Sequence, residues 1–164
     1  MTVTAVAIDL DGALGDTHGL WRAFLDDASR RFRPIAELDP AAVPADRGEA
    51  ADMLDRWAAN GVGDWRAALE RFAEDHAPVH LRPSAEAGAC VRALAASGAR
   101  LGVYTDAPEE LARVALSHLG IDRRIEALES GRGSLDRLLD RFGSSDVAVA
   151  RTLGELRLLT RDDP

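Results

Sequence analysis

Apolar positions along this chain change period, and the change divides it. A short β-type run, Val3 to Asp9, is followed by helical spacing. Trp21, Phe24, Leu25, Ala28 and Phe32 fall at i, i+3, i+4, i+7 and i+11, one face of an amphipathic helix that Arg33-Pro34 ends. Leu38 to Pro44, with two prolines, reads as a loop. A second helix carries Met53, Leu54, Trp57 and Ala58 and stops at Asn60-Gly61-Val62-Gly63; a third carries Trp65, Leu69 and Phe72. Pro78 and Pro83 punctuate the return.

From there helix and strand alternate. Ser84 caps a helix that ends at Ser97-Gly98, and Arg100 to Tyr104 is a strand. Pro108 opens a helix with core positions Leu111, Ala115 and Leu119 and a stop at Gly120. Leu135, Leu138, Leu139 and Phe142 mark another helix, Val147 to Ala150 a strand, and Leu156 to Thr160 one more strand. This βαβ-like order predicts an α/β fold, a parallel sheet with a helical segment inserted after its first strand. All three tryptophans lie in the insert and are expected to build its core.

Composition narrows the function classes. The 164 residues are 46% hydrophobic and 29% charged, which suits a globular domain, and the net charge of -8 disfavours nucleic acid as a partner. No apolar run approaches the ~20 residues of a membrane span, and no leader-like start is visible, so a cytoplasmic setting is expected. The single Cys90 sits in an apolar helical pattern and is expected in the core. All 20 basic Lys+Arg residues are arginine, so chemistry that needs a lysine ammonium is excluded.

The candidate chemistry sits at the first strand's end: Asp9-Leu10-Asp11-Gly12-Ala13-Leu14-Gly15-Asp16-Thr17. Residues two apart in a strand share a side, so Asp9 and Asp11 are expected to emerge together where a parallel sheet places its chemistry. Paired carboxylates beside a glycine turn suit a hard cation, and one can attack phosphorus while the other moves a proton.

This segment resembles the first motif, DxDGTLxDS/T, of the haloacid-dehalogenase-like (HAD) hydrolases. The layout resembles the capped, phosphoglycolate-phosphatase-like branch, with a Rossmann-like core over residues 1–16 and 81–164 and a helical C1 cap over 17–80. Leu101-Gly102-Val103-Tyr104-Thr105-Asp106 is similar to the strand that carries the second motif. The resemblance implies a phosphatase with Asp9 as nucleophile and Mg²⁺ ligand, Asp11 as acid/base and further ligand, and Thr105 on a phosphoryl oxygen. It implies Mg²⁺ as cofactor and a small phosphorylated metabolite as partner. Gly12, Asp106 and His18 are expected to line the substrate's place.

Two motifs depart from the family pattern. Ser130-Gly131-Arg132-Gly133 stands where a lysine is usual, leaving Arg132 as the candidate catalytic cation. Arg151 stands where the family places an acidic metal ligand, with Glu155 in the next acidic position and a candidate ligand. These departures open a second reading, a non-catalytic family member with a binding or regulatory role in which Arg151 pairs with Asp9 or Asp11 and fills the metal site.

Overall fold

The computed structural model describes residues 3–143 and 146–161. Strand β1 (Ala5–Asp9) enters a single π-helical turn, Leu10–Leu14. Three helices follow, α1 (His18–Arg31), α2 (Arg47–Ala58) and α3 (Trp65–His80). Helix α4 (Ala85–Ala96), β2 (Arg100–Thr105), α5 (Glu109–His118), β3 (Ala127–Ser130), α6 (Ser134–Phe142), β4 (Val147–Ala150) and α7 (Leu153–Leu159) complete the order. The strands form one parallel sheet in the order β3-β2-β1-β4. The α/β architecture and the insert after the first strand agree with the sequence pattern. Among the described residues no helix is long and apolar enough to cross a membrane.

Strand alternation divides the core in two. Val6 and Ile8 point into a large cluster with α1 to α5 and α7, whereas Ala5 and Ala7 point the other way, with Tyr104, onto Leu138 and Phe142 of α6. In the insert, Trp21 meets Phe24 and Trp65, Phe24 meets Phe72, and Phe32 meets Trp57, all through tilted or edge-on rings at 5.7–6.4 Å between centroids. This aromatic packing continues without a break into Leu111, Ala115 and Leu116 of α5. Cys90 is buried, as its surroundings in the sequence predict.

Three elements differ from the sequence expectation. Leu156 to Thr160 is not a strand: α7 covers Leu153–Leu159, started by Thr152, whose hydroxyl accepts from the Glu155 amide while the Glu155 carboxylate accepts from the Thr152 amide. That capping box outweighs the leucine run. Pro78 lies inside α3, which continues to His80 despite losing one backbone donor near its end. Strand β3 has no counterpart in the sequence reading, because Ala-Leu-Glu-Ser is a short edge strand whose last three residues are only half-buried.

Glycine 102 lies where β2 crosses under α6. A Cβ there would come within 2.6 Å of Leu138 Cδ1 and 2.8 Å of the Phe142 ring. Gly102→Ala is therefore expected to destabilise the fold by ~1–3 kcal/mol through overpacking, read as a lower urea midpoint. An unchanged midpoint would mean that α6 is free to move away from the sheet.

Candidate active site

The site lies at the C-terminal edge of the sheet, in a cleft of about 430 Å³ that Asp9, Asp11, Thr105, Asp106 and Arg132 help to line. Asp9 is the last residue of β1 and also caps the π-helical turn: its Oδ1 accepts from the amides of Asp11 at 3.0 Å and Gly12 at 3.2 Å. Its Oδ2 accepts no hydrogen bond from the described residues. Asp11 thus belongs to a turn and not to the strand, so two-residue strand alternation is not what brings the carboxylates together. The turn does this by folding back, and π-turns recur at functional sites for such reasons.

Gly12 is the tightest point of the site. A Cβ there would fall 2.0 Å from the Arg151 carbonyl oxygen, so only glycine lets the turn after β1 lie against the end of β4. Arg151 meets this turn through its backbone. Its amide donates to Glu155 Oε2 at 2.6 Å, and among the described residues its guanidinium forms no ion pair with Asp9 or Asp11. Glu155 spends that oxygen on the α7 cap.

The cation that meets Asp11 comes instead from the insert. Arg47, the first residue of α2, is fully buried at 0% exposure. Its Nη2 donates to Asp11 Oδ2 at 2.5 Å and to Asp106 Oδ1 at 2.7 Å. Nε donates to Asp106 Oδ1 at 3.0 Å, Nη1 to Thr17 Oγ1 at 2.7 Å, and the backbone amide to Asp106 Oδ2 at 3.0 Å. Asp11 Oδ1 accepts from the Thr17 amide at 2.8 Å and hydroxyl at 2.6 Å, and Oδ2 accepts from the Thr105 hydroxyl at 3.2 Å as well. Thr105 Oγ1 also accepts from the Ala107 amide.

Electrostatics follow this wiring. Burial pushes the Asp9 carboxyl up, the neighbouring Asp11 and Asp106 charges add to it, and the two amides only partly offset them. Burial would raise Asp106 too, but hydrogen bonds from Arg47 outweigh it and hold Asp106 below the ordinary carboxylate range. Burial disfavours the Arg47 charge, and its two carboxylates more than restore it. Burial and the Asp9 charge raise Tyr104, which pairs in register with Asp9 and keeps a neutral hydroxyl at the cleft wall.

The remaining candidates are less central. Arg132 lies at the rim, more than half exposed, with its Nη2 3.7 Å from Glu49 and 3.6 Å from Asp52 of α2. Arg132 therefore faces the insert. His18 Nδ1 contacts Asp16 at 2.6 Å and lies 3.7 Å from Asp11. Asp11, Asp16 and His18 are close enough together for a shared cation. Arg47 and Tyr104 escaped the sequence reading. The one signal for Arg47 was its position directly after the capping Asp46, where a cation opposes the helix dipole and needs a compensating anion.

No protein-family model matches the chain. Over 135 residues it is 38% identical to a phosphoglycolate phosphatase from Rhodospirillum rubrum, an alignment covering 71% of this chain and 54% of that protein. The chain thus spans about half the length of this relative. Among solved structures, CbbY from Rhodobacter sphaeroides in complex with phosphate superposes with a TM-score of 0.64 at 16% identity, covering 90% of this chain and 77% of that one. A haloacid dehalogenase-like hydrolase from Streptococcus pneumoniae gives 0.56 at 16% identity, covering 98% and 80%. With the parallel sheet, the insert after its first strand and the aspartate pair at the sheet edge, the chain has the fold of haloacid dehalogenase-like hydrolases and is similar in sequence to a phosphoglycolate phosphatase.

Proposed function

We propose that the chain is a phosphohydrolase for small phosphate esters, working through an aspartyl-phosphate on Asp9, with residues 17–80 as its cap. One observation carries this reading: Asp9 lines the cleft and is held by two amides through Oδ1, while its Oδ2 accepts no hydrogen bond from the described residues. The carboxylate is fixed in aim and open for attack. The phosphatase relative supports phosphate-ester hydrolysis as the class of activity.

In this reading Asp9 Oδ2 forms the bond to phosphorus as the ester oxygen leaves with a proton from Asp11. Water then attacks the phosphorus, the bond to Asp9 breaks, and Asp11 takes the water's proton. Thr105 turns its hydroxyl from Asp11 to a phosphoryl oxygen. Arg132 turns from Glu49 and Asp52 to bring positive charge to the phosphoryl group, and Gly12, Asp106 and His18 border the leaving group.

The donor set suits a lightly held Mg²⁺. Asp9 Oδ2 and the Asp11 backbone carbonyl are the candidate protein ligands, and Glu155 is tied to its own helix. Mg²⁺ commonly needs only one or two carboxylates besides water and substrate phosphate. When bound it would neutralise charge on the phosphoryl oxygens. The alternative, a non-catalytic protein, predicts that Arg151 pairs with Asp9 or Asp11; among the described residues Arg47 makes the ion pair to Asp11, and Arg151 makes none with either aspartate.

Purified protein with Mg²⁺ should release phosphate from a panel of small esters, and Asp9→Asn should abolish both turnover and phosphoenzyme. A panel without turnover by the wild type would overturn the phosphatase reading. Asp9→Asn should also raise the melting temperature at pH 7. Folding raises the Asp9 pKa, so its ionised form costs stability above that pKa, and the cost fades as pH falls through it. The melting gain should shrink over the same interval.

Arg151→Asp should tighten Mg²⁺ binding in calorimetry. Unchanged binding would show that the backbone at Gly12 and Arg151, and not the guanidinium charge, sets metal affinity.

A further inference from the structure

We propose that Arg47 is the positioning residue for Asp11, so that docking of α2 and alignment of the acid/base carboxylate are one event. This rests on the phosphatase reading above. Arg47 does not line the cleft; it lies behind Asp11 and Asp106, which do. It therefore acts through those carboxylates and not on the substrate.

The geometry over-determines Asp11. Each of its oxygens accepts two bonds, Oδ1 from Thr17 alone and Oδ2 from Arg47 and Thr105. Thr17 begins the insert, Arg47 lies further along it, and Thr105 ends β2 in the core. Before substrate arrives the carboxylate is thus aimed by three separate segments, and Arg47 bonds to Thr17 and to Asp106, the neighbour of Thr105. A guanidinium carries five N–H donors in a rigid plane. Four are used here, two on Asp106, one on Asp11 and one on Thr17. Such a fork tolerates little displacement, so a shift of α2 moves Asp11 Oδ2 with it.

The first turn of α2 is built to sit this closely. Asp46 caps the helix through the Glu49 amide, and the next residue after Arg47 is Gly48. A Cβ at Gly48 would fall 2.7 Å from Arg132 Cγ and 3.3 Å from its backbone nitrogen. Gly48 and the Arg132 contacts to Glu49 and Asp52 hold the turn against the loop before α6, while Arg47 reaches past it to Asp106. Lysine, with a single ammonium and no fork, cannot make these bonds together.

The test compares leaving groups. p-Nitrophenyl phosphate releases its phenolate without a proton, whereas an alkyl ester such as glycerol 2-phosphate needs one from Asp11. In single-turnover reactions with Mg²⁺, Arg47→Lys should lose about 10²-fold in leaving-group release from the alkyl ester, with KM nearly unchanged. Release from p-nitrophenyl phosphate should fall only a few-fold. Asp11→Asn, which removes the acid itself, sets the reference pattern.

Equal losses on both esters, or a raised KM with kcat kept, would overturn the proposal in favour of a merely structural or a substrate-binding arginine. Should Arg47→Lys not fold, Asp106→Asn loosens the same fork and is expected to show a weaker selectivity in the same direction; uniform loss there overturns it equally. A second readout needs no substrate. The Arg47 Nε–H in ¹⁵N spectra of the wild type should exchange with solvent far more slowly than that of exposed Arg22. Equal exchange overturns the proposal even where turnover is normal, whereas slow exchange in a protein that hydrolyses no ester places the failure in the phosphatase reading.

Discussion

The structure turns on one buried arginine. Placing the Arg47 guanidinium out of water is costly unless its donors are matched, and Asp11, Asp106 and Thr17 match four of them. Removing any one partner would leave a buried charge partly uncompensated, so the four groups are held to a single arrangement. That arrangement ties the start of the insert, the first turn of α2 and the ends of β1 and β2 into one polar cluster. The hydrophobic core around it continues from the insert aromatics into α5, which supplies most of the packing but little of the precision. A greasy contact between α3 and α5 permits small slides; a forked ion pair does not.

Close approach by backbone is the second constraint, and it is written in glycines. Gly12 admits the Arg151 carbonyl, Gly48 admits Arg132, and Gly102 admits α6. Gly12 lines the cleft, Gly48 packs on Arg132 at its rim, and Gly102 sets the height of α6 over the sheet face that carries Tyr104 and, at its edge, Asp9. The distance from the nucleophile candidate to the loop before α6 thus depends on side chains that are missing. Where insert and core meet at the site, the forked donor is Arg47, whose bonds no lysine ammonium could make together.

What could be read from the sequence was what is local. The run Val3 to Asp9, the paired aspartates and Gly12 lie within a few residues of one another, and their chemistry depends on nothing distant. The insert helices were legible because their aromatic stripes keep a helical period. Arg47 was not legible as a partner of Asp11, since 36 residues separate them and nothing in an arginine's neighbourhood marks which of many aspartates it will meet. Strand β3 was lost for a related reason: an edge strand pairs on one side only and needs little apolar content to do so. Helix α7 forms where the leucine run suggests a strand, because the Thr152–Glu155 cap satisfies backbone donors that no leucine can. The non-catalytic reading expected Arg151 to pair with Asp9 or Asp11; the arginine that pairs with Asp11 is Arg47, supplied by the insert.

Asp9 and Asp106 lie in one cleft under comparable burial, yet their carboxyls move in opposite directions. Burial acts on both alike, so it cannot separate them. The difference is the guanidinium, which places two side-chain bonds on Asp106 and none on Asp9. Asp9 is left with neutral amide donors on one oxygen and two carboxylates nearby, the least compensated anion of the set. Environments that push neighbouring acids apart are how one site assigns them different work. Asp106, with both oxygens bound by Arg47, is held as structure, whereas Asp9, which Arg47 does not reach, is the one with affinity to spare for an incoming cation or an electrophilic phosphorus. In this way a buried cation on one side of the cleft leaves reactivity on the other, and the proposed role of Asp9 as nucleophile follows from where Arg47 is and where it is not.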